Sequence, residues 1–69
     1  MFAQGYYLEV WYKEVQCLSQ YFGSDLEGAV KNANKLAGCM LHGTGGNIVV
    51  SKKTQNKDGL IITEELLEL

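Results

Sequence analysis

The 69-residue chain has no proline, no arginine, one histidine and two cysteines. Without arginine, bidentate Arg recognition of guanine or phosphate is excluded, which with a net charge of −2 weighs against sequence-specific DNA reading but leaves binding through one local basic patch open. The sequence also has no internal repeat, no low-complexity linker, and no apolar run near the ~18 residues that a membrane-spanning helix needs. MFAQGYYLEV has no basic n-region and no sustained apolar stretch, so no secretory signal is expected at this end. With no export signal, Cys17 and Cys39 are expected as buried thiols rather than a disulfide, and the location as cytoplasmic.

The length allows one domain, residues 1–69. Surface scaling gives about 4,300 Å² folded and roughly 11,000 Å² unfolded, so about 60% of the surface can be buried. A core that small usually needs support from disulfides, metal or a partner chain.

All seven aromatics lie in the first 22 residues. In residues 6–12, Tyr6, Leu8, Val10 and Tyr12 alternate with Tyr7, Glu9, Trp11 and Lys13, which predicts a strand. The phase then shifts, predicting a turn near residues 13–16 and a second strand over 17–22. A helical reading competes, because Leu8, Trp11, Tyr12, Val15, Leu18 and Phe22 also follow helical spacing, with Gly23 as its cap. Residues 25–37 predict a helix with Ser24 as N-cap, Glu27 completing a capping box, and Gly38 ending it. Its apolar stripe is Leu26, Ala29, Val30, Ala33, Ala37 and Met40 or Leu41. Residues 42–47 read as a loop, 48–53 as a strand, 54–59 as a polar turn ending in Asp-Gly, and 60–63 as the last strand. Residues 64–69 (EELLEL) read as a short helix or an extended arm. The expected fold is α+β: a four-stranded antiparallel sheet packed by one helix, in the order β-β-α-β-β, with a short C-terminal tail.

Several constellations can be weighed against plainer readings. Cys39, His42 and Cys17 are too few for a structural zinc site, so no metal is expected. Cys39 with His42 suggests a nucleophile and base, but no orienting acid lies nearby in sequence, so no catalytic residue and no cofactor is expected. Gly43, Gly45 and Gly46 follow a helix rather than precede one, which suits turns better than a phosphate cradle. Lys52, Lys53 and Lys57 can be a solvated hairpin or edge-blunting charges. Together with Tyr7 or Trp11 they could hold single-stranded nucleic acid.

The weightiest feature is Tyr7 with Trp11. One helix covers only one face of a four-stranded sheet, so both should project from the uncovered face as interface anchors, unless the 64–69 arm folds over them. The expected partner-binding set is Tyr7, Trp11, Lys52, Lys53 and Lys57, engaging a protein partner. A homodimer through this face or a swapped tail would also support the small core. Nucleic acid is the alternative partner, and no membrane is expected.

Residues 26–50, LEGAVKNANKLAGCMLHGTGGNIVV, resemble the helix, Cys, His-Gly-Thr and strand stretch of small phage-encoded α+β proteins. Among these are inhibitors of type I-F CRISPR–Cas complexes. The resemblance covers about a third of the chain, and Cys39 followed by His42-Gly43-Thr44 is its most specific element. It implies a cytoplasmic protein that binds a host complex and blocks its access to nucleic acid.

Overall fold

The structure, a computed structural model, describes residues 2–39 and 46–69. The elements are β1 (Gly5–Tyr12), β2 (Val15–Tyr21), α1 (Leu26–Cys39), β3 (Gly46–Gln55) and β4 (Ile61–Glu68). The strands form one antiparallel sheet in the spatial order β2-β1-β3-β4. This is the expected β-β-α-β-β fold, and the aromatic-rich segment forms the hairpin β1–β2 rather than a helix.

The β1–β2 turn is tighter than the sequence suggests. Only Lys13 and Glu14 connect the strands, at φ 50° and 68°. Two left-handed residues in succession match the twist of a hairpin, so β2 starts at Val15 instead of 17. The phase change lies inside the pairing: Val10 faces Leu18 but Trp11 faces Gln16, leaving Cys17 as a bulge.

The helix is capped by Asp25, not Ser24. Asp25 Oδ1 accepts the Gly28 N–H at 2.8 Å, and the Asp25 carbonyl accepts the N–H of Ala29 at 3.1 Å, the first helical bond. Gly38 stays within the helix, which runs on to Cys39. Ala29 and Ala33 are fully buried against Leu8, Ile48 and Val50, with Phe22, Leu26, Val30, Leu36 and Leu67 around them. Leu36 takes the place expected for Ala37, which is exposed. Met40 and Leu41 lie outside the described residues.

β3 is longer than residues 48–53 and is a central strand, so Lys52 and Lys53 do not blunt an edge. Thr54 and Gln55 belong to it, and the turn shrinks to 56–60. There Asn56 Oδ1 accepts the N–H groups of Asp58 and Leu60, both at 2.9 Å, and Gly59 takes φ 85°. Residues 64–69 are neither a helix nor a folded-over arm. Most of them extend β4, with Leu67 paired to Val50 and Leu69 hydrogen-bonded to Ile48. Both cysteines are exposed and free, which corrects the expectation of buried thiols: one is the bulge of an edge strand and the other ends the helix. Among the described residues no helix is long and apolar enough to cross a membrane.

Replacing Glu14 by Gly should stabilise the fold by about 0.5–1 kcal/mol, because glycine adopts the left-handed conformation without strain. Urea unfolding reads this as a higher midpoint at unchanged slope. A lower midpoint would mean that the Glu14 side chain contributes more than its backbone costs.

Candidate functional site: the open face of the sheet

Paired residues share a face, so the register sorts the side chains. Tyr6, Leu8 and Val10 pair with Lys52, Val50 and Ile48 on the helix side. Tyr7, Glu9 and Trp11 pair with Ser51, Val49 and Asn47 on the other. Tyr21 and Ser19 of β2 and Glu65 and Glu68 of β4 complete that second face. Helix α1 packs mainly on β1 and β3 from the opposite side, and no described element covers this face. Tyr7 and Trp11 therefore project where the alternation put them, and both are half-buried by their neighbours.

One end of the face is aromatic. Tyr7 lies 5.2 Å from Tyr21 and 6.4 Å from Phe2 between ring centroids. Its hydroxyl donates to the Ala3 carbonyl at 2.6 Å, and that of Tyr21 donates to the Gln4 carbonyl at 2.8 Å. These bonds fix both rings to the strand leading into β1. Lys53 Nζ sits 5.8 Å from the Tyr7 centroid, a cation–π distance.

The centre holds Glu9, only 4% exposed although it faces away from the core. Lys53 Nζ approaches Glu9 Oε2 at 3.3 Å, Ser51 Oγ donates to Oε1 at 3.3 Å, and Gln16 Nε2 donates to Oε2. A buried carboxylate is tolerated only when paired and hydrogen-bonded in this way. The sequence reading placed Glu9 merely as an outward residue. The clamp escaped it because its partners come from β2 and β3 and meet only in the folded sheet.

The other end is acidic. Trp11, Glu14, Asn47, Val49, Glu65 and Glu68 line a shallow cavity of ≈ 270 Å³. A hydrogen bond with Glu68 holds the Glu65 pKa above its ordinary 4.5, with desolvation and the negative charges of Glu68 and Glu9 acting in the same direction.

The five expected contact residues do not form one patch. Tyr7 and Lys53 meet, and Trp11 shares their face at its acidic end. Lys52 lies on the helix side, 6.0 Å from the Tyr6 ring, in a cleft of ≈ 550 Å³ with Gln4 and Ser24. Lys57 is exposed in the 56–60 loop. Among the described residues no group of His, Cys, Asp and Glu is arranged to hold a metal. The constellations built on His42 and Gly43–Gly45 fall outside the described residues. No family model, no curated protein and no solved structure matches the chain.

Two outcomes follow from the charges. Lys53→Met should cost about 1–3 kcal/mol, because it strands the Glu9 carboxylate. In a Glu9→Gln background the same change should cost clearly less in urea unfolding, and equal costs would show that the pair is uncoupled. Because Glu65 holds its proton more tightly folded than unfolded, its contribution is complete below about pH 4.5 and declines as pH rises through the folded value. Glu68→Gln should flatten that decline in a stability–pH profile, and an unaltered profile would separate the two carboxyls.

Proposed function

We propose that the chain is a non-enzymatic binding protein that acts by occluding a protein partner. The observation that carries this reading is that Tyr7, Tyr21 and Trp11 share the uncovered face of the sheet, Tyr21 exposed and the other two half-buried. Rigid exposed aromatics lose little entropy on docking and bury much area, which is why they dominate interfaces. The accessible surface, 4994 Å², exceeds the about 4,300 Å² that mass scaling gives. Exposed side chains of the edge strands β2 and β4 contribute to the excess, and a partner covering them would reduce it.

The charges favour protein over single-stranded nucleic acid. Lys53 is committed to Glu9, while Trp11 stands among Glu14, Glu65 and Glu68, which would repel phosphates. Lys52 is turned to the other side of the sheet. The resemblance at residues 26–50 suggests the partner class: a host defence or regulatory complex met by a phage protein, bound in the cytoplasm and barred from its nucleic acid.

Trp11→Ala should keep a native far-UV spectrum and cooperative unfolding, and lose partner capture from a lysate of the source cell by at least about tenfold. Nuclease treatment should leave wild-type capture unchanged. Capture equal to wild type, or capture abolished by nuclease, would overturn the reading.

A further inference from the structure

Among the described residues, five of the nine exposed large apolar side chains lie in the last ten positions: Leu60, Ile61, Ile62, Leu66 and Leu69. Strand β4 is an edge, paired only to β3, and of its side chains only Leu67 packs against the core. The ladder shows which backbone groups stand free. Asn56 N–H donates to the Leu60 carbonyl at 2.9 Å and closes the hairpin. Counting on through the pairs Gln55–Ile61, Thr54–Ile62, Lys53–Thr63, Lys52–Glu64 and Ser51–Glu65, the peptide groups of Ile62 and Glu64 turn to β3. Those of Ile61, Thr63 and Glu65 turn outward. Residues 60–69 contain no proline or lysine to blunt this edge, and the bulge falls at Leu66, past the regular stretch.

The charge of the edge selects its occupant. Residues 60–69 carry Glu64, Glu65 and Glu68 and no cation. None of the three has an ion-pair partner among the described residues, since Lys53 is taken by Glu9. A second copy pairing here would bring three carboxylates from each chain into one interface, with the cations in register with them, Lys52 opposite Glu64 and Lys53 opposite Thr63, one strand inward on β3. A strand with basic side chains would complement the edge.

We propose that the outer edge of β4 over residues 61–65 receives an extended segment of another protein as a fifth strand. Apolar side chains of that segment lie beside Ile61 and Ile62, and basic ones beside Glu64 and Glu65. Continuing the antiparallel sheet, the segment reads basic-basic-any-apolar-apolar. This edge adjoins the aromatic face and shares Glu65 with it, but the backbone groups that would pair do not depend on the role given to Trp11.

The test is a titration of the isotope-labelled chain with the peptide Ser-Lys-Lys-Thr-Val-Val-Ser, followed by amide NMR. The amides of Ile61, Thr63 and Glu65 should shift and exchange more slowly. The same peptide with Glu for both Lys should bind at least about tenfold more weakly. Thr63→Pro removes an outward N–H while sparing the ladder, and should weaken binding by a similar factor with a native spectrum. Should that variant unfold, the double change Glu64→Lys with Glu65→Lys decides, by reversing the preference to the acidic peptide. Trp11→Ala should leave peptide binding unchanged, so failure here is separable from failure of the aromatic-face reading. Absence of β4 shifts in millimolar peptide, equal binding of both peptides, or concentration-dependent protection of these amides by a second copy would overturn the proposal.

Discussion

Ala29 and Ala33 have no exposed surface, and the side chains beneath them, Leu8 and Val50, come from the two central strands. Alanines let the α1 backbone approach the sheet closely, but one narrow helix can seal only the middle of four strands. Everything else in the molecule follows from that limited cover. Strands β2 and β4 depend on backbone pairing with little burial, and the reverse of the sheet must make its own shelter. Gly5 shows how tight the junction beside the helix is. A Cβ there would meet the Gly23 carbonyl oxygen at 2.5 Å, and the Tyr6 N–H donates to that same oxygen at 2.8 Å.

The reverse side shelters itself with large side chains laid along β1. Tyr7 and Trp11 flank Glu9, and with Lys53 they leave the carboxylate almost no water. A cation held there both neutralises Glu9 and lies against the Tyr7 ring, so one side chain satisfies two neighbours. The consequence is a polarised face. Its only placed cation is spent internally at the aromatic end, and the carboxylates around Trp11 stay unneutralised. A partner of the proposed kind would meet a hydrophobic anchor beside net negative charge, and charge complementarity sets which partners are rejected as much as which are held.

The sequence reveals what is local. Alternation over residues 6–12 placed Leu8 inward and Trp11 outward, and the Ala-rich spacing of residues 25–37 showed the helix. These signals are strong because each reads one element against a single period. The errors fall where two elements decide together. Ser24 and Asp25 are both good caps, and the choice was made by the Phe22–Gly23 turn, whose Phe22 carbonyl accepts the Asp25 N–H at 3.0 Å. EELLEL has helix-forming composition, but pairing with residues 48–52 in β3 overrides that local preference. Lys52 and Lys53 read as one basic cluster in the chain, yet adjacent strand residues point to opposite faces. Glu9 was legible as outward and illegible as buried, because its shelter depends on Gln16 and Lys53 from other strands.

Two bulges explain why the site residues converge as they do. Without the bulge at Cys17, Trp11 would pair with that residue, and Gln16 would face the helix side, out of reach of Glu9. Without the bulge at Leu66, Glu65 and Glu68 would alternate to opposite faces and could not share a hydrogen bond. The first lies beside Trp11 and the second is level with Tyr7 and Leu8, one on each side of the central β1–β3 pair. A bulge interrupts the ladder and increases local twist, which costs stability at an edge. Here each re-aims a polar side chain onto the uncovered face. One supplies a donor to a buried carboxylate, and the other sets two acids side by side where they repel. The first satisfies a buried carboxylate, whereas the second is favourable only while Glu65 holds its proton.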